Sequence, residues 1–145
     1  MANKNLPPFG LGFEERELLF EFVVPGPPNG YYAKGKYPNW KRLNEYHAWC
    51  DVVRTAAVVA GVALPLVATE AVPLHIHTIA YFDTRVHHDP ENIHKGAKDA
   101  LFYPMGGVKR KGSADKHTGG TYAPPLYDKD PRVEVWIWSQ RRRVG

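Results

Sequence analysis

The stretch HDPENIHKGAKDAL, from His88 to Leu101, is the most informative part of the sequence for both fold and function. Wound at about 100° per residue, its apolar residues Ile93, Ala97 and Leu101 gather on one side of a helix. The other side is densely ionisable and carries Glu91, Asn92, Lys95, Lys98 and Asp99. An aspartate followed by a proline is a common helix start, with the aspartate as N-cap. We therefore predict an amphipathic helix that begins just after Asp89.

The ionisable side of this helix has a structural and a chemical interpretation. In the structural one, Asp89 caps the helix, and Glu91 with Lys95 forms an i,i+4 ion pair worth a few tenths of a kcal/mol. In the chemical one, Asp89 and Glu91 converge on a hard divalent cation such as Mg²⁺. Asn92 could orient a ligand, and Lys95 could meet a phosphate or a developing negative charge. That pattern favours phosphodiester hydrolysis, provided that a third acid comes from elsewhere in the chain.

The same residues carry a resemblance to a known family. The order D-x-E-N-x-x-K-x-x-x-D-A-L over residues 89 to 101 resembles the D-x-D-N-x-x-K-x-x-x-D-A-L core of the RusA family of Holliday-junction resolvases. The segments Pro25–Pro28 and Pro131–Val135 are also similar to that family, in the same order, and the likeness extends from Leu18 to Trp138. Glu91 stands where the family has a second aspartate, and the family's later Asp-Asp pair is not present as such.

The resemblance implies a Mg²⁺-dependent endonuclease that cuts four-way DNA junctions and other branched DNA, with Mn²⁺ as a substitute metal. Asp89, Glu91 and a third acid would be the metal ligands, and Lys95 a further catalytic residue. We place the third acid at Asp115, because the family's acid lies between the helix and the last strand. Asp128 and Asp130 are the alternatives, although both are typical of a turn beside a proline. A homodimer is also implied, since symmetric cleavage needs two sites related by a two-fold axis.

Two other functions remain open at this stage. Glu91 and the missing Asp-Asp pair leave room for a protein of the same fold that binds junctions with little or no cleavage. A metallohydrolase that uses histidines is the more distant possibility, because His75 and His77 project from the same face of a predicted strand. We favour a hydrogen-bonded histidine pair there over a zinc site, since no cysteine or second histidine pair has the usual zinc spacing.

The charge of the chain favours a polyanionic partner. Its formal net charge is +4, which suits nucleic acid without requiring it. The segment from Gly30 to Tyr37 interleaves lysines with tyrosines, a pattern that suits binding to DNA phosphates and exposed bases. A long loop over residues 103 to 131 is predicted to be a basic flap over DNA, although either segment could equally be a solvated loop. The candidate DNA-contacting residues are Lys34, Lys36, Lys41, Arg42, Arg85, Lys109, Arg110, Lys111 and Lys116.

Composition excludes several classes of protein. Cys50 is the single cysteine, so no disulfide forms within the chain. The longest apolar run, Ala56 to Ala68, has 13 residues and is too short to span a bilayer. The first eight residues contain no apolar stretch, so we expect no secretory signal. A soluble cytoplasmic protein with no membrane partner is expected.

Periodicity predicts a small single α/β domain, a mixed sheet with helices packed on one face. Strands are expected from Leu18 to Val24, Val72 to Phe82 and Arg132 to Ser139, and a long helix from Lys41 to Gly61. The domain should span residues 17–139, between a loose arm at 1–16 and a basic tail at 140–145. Trp136 and Trp138 share one face of the last strand, which should be covered by a helix or by a partner subunit.

Overall fold

Five strands form one mixed sheet with two helices against it. The computed structural model describes residues 13–31, 37–85, 89–103 and 117–142. Along the chain the elements are β1 (Phe13–Pro25), α1 (Trp40–Val59), β2 (Leu74–Phe82), α2 (Pro90–Phe102), β3 (Thr118–Tyr122), β4 (Leu126–Tyr127) and β5 (Arg132–Arg142). The strand order is β1-β5-β2-β3, and β4 also pairs with β2. Antiparallel pairs join β5 to β1 and β2, whereas β3 and β4 run parallel to β2. The predicted mixed α/β sheet is confirmed.

Helix α1 begins and ends at residues that suit those positions. The Asn39 side chain accepts a hydrogen bond from the backbone N–H of Arg42 at 3.1 Å, which caps the first turn. The helix stops before Gly61, which adopts a left-handed conformation with φ of +96°. Four residues at helical spacing are buried along its inner side: Trp49, Cys50, Val53 and Ala57. This stripe fastens α1 to the core.

The two helices are in close contact at Gly96 of α2. A methyl group at this position would lie 2.8 Å from Oη of Tyr46 and 3.2 Å from Cζ3 of Trp49. The apolar side of α2 predicted from the sequence is buried, as shown by Ile93 and Leu101. Glycine is therefore required for the contact itself, because any side chain would push α1 and α2 apart.

Each face of the sheet has its own composition. The residues packed beneath the helices are Phe22, Val24, Ile76, Ala80, Val133, Val135 and Ile137. The opposite face carries His75, His77 and Trp136, with Trp138 buried to 2% exposure but outside the main core cluster. We call this side of the sheet, which carries Trp136 and Trp138, the tryptophan face. Among the described residues, neither helix covers it, so the burial of Trp138 is not due to a helix.

Two features of the strands differ from the sequence prediction. The alternation of β1 is interrupted between Leu18 and Phe20, since Leu18 pairs with Trp138 whereas Phe20 pairs with Ile137. This bulge places Leu18 on the tryptophan face rather than beside Phe20. In addition, β1 begins at Phe13, within the segment assigned to a loose arm, and β5 continues to Arg142, within the segment assigned to a basic tail.

The prediction of a structureless loop over residues 103–131 is wrong for its second half, which forms β3 and β4. These strands show no alternation of apolar residues because neighbouring side chains pack over their backbone. A methyl group on Gly119 would lie 2.8 Å from Nδ1 of His75, and one on Gly120 would overlap Nε2 of His94. The two glycines thus accommodate one histidine on each face of the sheet.

No described helix is long and apolar enough to cross a membrane.

Candidate functional site

The candidate site lies where the chain leaves β2 and enters α2. Asp89 occupies the N-cap of α2, and its Oδ1 accepts a hydrogen bond from the backbone N–H of Glu91 at 2.9 Å. Pro90 follows in the first turn, as the Asp-Pro order predicted. Asp89 is exposed, and its Oδ2 has no hydrogen-bond or ion-pair partner among the described residues. One carboxylate oxygen therefore caps the helix, and the side chain as a whole is exposed.

Glu91 and Lys95 form the predicted ion pair on the surface of α2. The distance between Oε1 of Glu91 and Nζ of Lys95 is 3.2 Å, and their side chains are 51% and 62% exposed. Exposed pairs of this kind contribute little to stability. A ligand that offers either group a stronger charge partner could therefore separate them at small cost. The helix cap and the ion pair of the structural interpretation are therefore both present. Both charged groups are also accessible, as the chemical interpretation requires.

The oxygen donors at this corner suit Mg²⁺ in kind, but two carboxylates do not complete a site. In residues 13–31, 37–85, 89–103 and 117–142, no three His, Cys, Asp or Glu side chains lie close enough to hold a metal together. Asp115, the predicted third ligand, lies outside the described residues. The identity of the third acid thus stays a prediction.

The alternative third acids occupy the turn that was predicted for them. Asp128 accepts a hydrogen bond from the backbone N–H of Asp130 at 3.1 Å, and its Oδ2 pairs with Arg132 at 3.2 Å. The backbone N–H of Asp130, followed by the Arg132 guanidinium, lowers the pKa of Asp128 below its usual value. Arg132 also pairs with Glu134 and stacks at 3.8 Å over the ring of Tyr81.

Topology nevertheless brings Asp128 to the end of the sheet from which α2 starts. Tyr127 of β4 pairs with Phe82 of β2, and the backbone N–H of Asp128 donates to the Phe82 carbonyl at 2.9 Å. Helix α2 then runs back along β2, since Thr78 bonds to His94. The sequence signal for this arrangement was weak, because a two-residue parallel strand has no periodicity of its own.

Residues Gly30 and Tyr31, which follow β1, contact the starts of both helices. A methyl group on Gly30 would lie 3.0 Å from Cδ1 of Ile93 and 3.3 Å from Cβ of Asn92, so Gly30 packs directly on the first turn of α2. The hydroxyl of the next residue, Tyr31, accepts a hydrogen bond from the backbone N–H of Asn39 at 2.9 Å. The N-terminal turn of α1 is thereby tied to the neighbourhood of the Asp89 corner.

Three of the predicted DNA-contacting residues are described, and all are exposed. Lys41 and Arg42 lie in the first turn of α1, and the Arg42 guanidinium stacks 5.0 Å above the Tyr31 ring. Arg85 follows β2, with its guanidinium 5.8 Å from the Tyr127 ring. The others, Lys34, Lys36, Lys109, Arg110, Lys111 and Lys116, lie outside the described residues.

Of the histidines that the structure describes, His94 lies apart from His75 and His77. His77 and His75 share the hydroxyl of Thr121, at 2.6 Å from Nδ1 and 3.3 Å from Nε2 respectively. His94 lies on the opposite, helical face, where its Nδ1 bonds to Thr78 at 2.9 Å. Burial, helped by the nearby charges of Lys98 and His77, lowers the pKa of His94 to about 4. The structural role of His94 in the core was not apparent from the sequence, which offered it only as a further histidine.

Comparison with known proteins adds no family to these observations. Neither a protein-family model nor a curated protein matches the chain significantly.

Proposed function

We propose that this protein is a Mg²⁺-dependent endodeoxyribonuclease that hydrolyses phosphodiester bonds in branched DNA and resolves four-way junctions. The observation that carries the proposal is the exposed start of α2, where Asp89, Glu91 and Lys95 lie within two helical turns. It is supported by the resemblance of residues 89–101 to the RusA core motif and by the basic residues Lys41 and Arg42 at the neighbouring helix start. An intracellular location follows from a DNA substrate.

The accessible carboxylate oxygens are the first support for this chemistry. Asp89 is exposed and uses only Oδ1 for the hydrogen bond to the backbone of α2, so Oδ2 could take part in binding a cation without uncapping the helix. When bound, Mg²⁺ supplies activation of water and neutralisation of charge at the scissile phosphate. Glu91 would provide the second ligand and the third acid would complete the set.

The Glu91–Lys95 pair is the second support. If Glu91 turns towards a cation, the Lys95 ammonium gives up this ion pair and could approach a phosphate oxygen. The exchange costs little, because the pair is half exposed and weak in water. The same two residues would therefore serve as an ion pair in the resting protein and as separate functional groups on DNA.

The experiment that tests the proposal compares wild type with Asp89→Asn on a labelled synthetic four-way junction in Mg²⁺. Asparagine caps helices about as well as aspartate, so the variant should fold and bind the junction while cleavage is lost. Asp51→Asn is the matched control, because Asp51 is an exposed aspartate on α1 that only pairs with Arg54. Cleavage by Asp89→Asn at the wild-type rate would remove the metal-ligand role, and loss of folding would favour a purely structural cap.

A second candidate function is a junction-binding protein that cleaves weakly or not at all. It is favoured by the glutamate at position 91, where the family that residues 89–101 resemble has an aspartate. Binding of the junction by wild type without Mg²⁺-dependent cleavage would select this function. The metallohydrolase alternative is weakened by the histidines, since His94 and the His75–His77 pair lie on opposite faces of the sheet.

A further inference from the structure

Two strongly exposed aromatic side chains flank the first turn of α1. Tyr37 is 83% exposed and Trp40 is 66% exposed, although rings of this size usually bury most of their surface in a folded protein. Both belong to the described residues that follow the 32–36 segment, and Trp40 is the first residue of the helix. Both rings thus present most of their surface to solvent.

The charges around these rings are of one sign. Lys41 and Arg42 follow Trp40 directly, and the first turn of α1 contains no acidic residue. Arg42 is held by its stacking on the Tyr31 ring, 5.0 Å from guanidinium to ring centre. Exposed aromatic rings beside cations match a nucleic-acid strand, whose bases stack on rings while its phosphates pair with cations.

The position of the rings relates them to the proposed cleavage corner. The Tyr31 hydroxyl binds the backbone of Asn39, immediately before Trp40. One residue earlier in the loop, Gly30 packs on Asn92 and Ile93 in the first turn of α2. Trp40 is thus connected to the first turn of α2 through Asn39, Tyr31 and Gly30.

Building on the nuclease function above, we propose that Trp40 and Tyr37 form a stacking surface for unpaired bases at the branch point of the DNA substrate. Lys41 and Arg42 hold the phosphates of the same strand. A fully paired duplex offers no free base face to these rings and gains only the phosphate contacts. The surface thus provides the preference for branched over linear DNA that bulk positive charge cannot provide.

The test measures binding of wild type, Trp40→Ala and Trp40→Phe by fluorescence anisotropy, with Ca²⁺ in place of Mg²⁺ so that the DNA stays intact. The probes are a four-way junction, a single-stranded oligonucleotide and a fully paired duplex of equal length. Because base stacking on an aromatic ring contributes about 1–3 kcal/mol, Trp40→Ala should weaken junction and single-strand binding roughly 5- to 150-fold. Duplex binding should change less than about twofold, and Trp40→Phe should retain most of the affinity.

Val59→Ala is the matched control, because Val59 is also strongly exposed, at 83%, but lies in the last turn of the same helix. A direct readout uses tryptophan fluorescence, since Trp49 and Trp138 are buried and Trp136 is partly buried. Single-stranded DNA should quench the wild-type emission, and Trp40→Phe should remove most of that quenching. This readout holds even if Trp40→Ala does not fold.

Unchanged junction binding by Trp40→Ala, or an equal loss on duplex, would overturn the stacking surface. If either result is obtained while wild type still cleaves junctions in Mg²⁺, the stacking surface is rejected and the nuclease function is retained. If wild type binds junctions in a Trp40-dependent way but never cleaves them, the surface stands and the nuclease function fails.

Discussion

Thr78 of β2 and His94 of α2 are joined inside the core by a hydrogen bond of 2.9 Å between Oγ1 and Nδ1. Both residues are buried, and the bond lies one helical turn from the Asp89 corner. The helix that presents Asp89 and Glu91 is therefore anchored to the sheet by a polar contact as well as by its apolar side. Titration of His94 links the stability of the fold to pH.

We predict that the protein loses stability between pH 7 and pH 5. Burial lowers the pKa of His94 from 6.5 to about 4 in the folded state, so the unfolded chain binds more protons in this window. The free energy of unfolding should then fall by about 2 kcal/mol as the pH drops from 7 to 5, and level off below pH 4. Urea unfolding at several pH values measures this.

His94→Gln is the control for that prediction, since glutamine does not titrate. The pKa of His77 is also lowered, mainly by burial, so its contribution remains in both proteins and cancels in the comparison. Equal pH dependence in wild type and His94→Gln would contradict the assignment to His94.

Gly96→Ala should destabilise the protein by about 1–3 kcal/mol, because the added methyl group overlaps Oη of Tyr46. Chemical denaturation measures the change. The double variant Gly96→Ala with Tyr46→Phe removes that oxygen and should recover part of the loss, as expected for residues in contact. If the two substitutions are strictly additive, the helices do not meet at Gly96 as described.

The third carboxylate is tested by Asp→Asn variants at positions 115, 128 and 130, with Mg²⁺-dependent cleavage and junction binding measured separately. We expect Asp115→Asn to abolish cleavage and preserve binding. Glu134→Gln controls for disturbance of Arg132, which pairs with both Glu134 and Asp128. Loss of cleavage confined to the variant at Asp128 or Asp130 would move the third ligand to the turn after β4.

A homodimer is expected from the proposed cleavage of a two-fold symmetric substrate. Sedimentation at micromolar concentration should give about twice the chain mass of 16.4 kDa. The measurement is repeated with junction DNA, because the substrate could assemble two subunits that are separate on their own. A monomer in both conditions would argue strongly against junction resolution.

Local signals in the sequence were sufficient for the two helices, the three long strands and the start of the candidate site. The Asp89–Pro90 cap, the Glu91–Lys95 pair and the alternation in β2 and β5 all depend on residues within a few positions of one another. Their outcome is decided by backbone geometry over one or two turns, so they can be read without knowing the rest of the fold. The mixed α/β class followed from the order of these elements.

Tertiary structure alone decided the features that join distant segments. The glycines at 119 and 120 form a strand because His75 and His94 pack over them, and neither histidine is near them in sequence. Asp128 reaches the end of β2 because two residues of β4 pair there, and the exposure of Trp40 depends on what the rest of the core leaves uncovered. No local periodicity encodes such contacts, since each is selected by packing and pairing between segments that only the complete fold brings together.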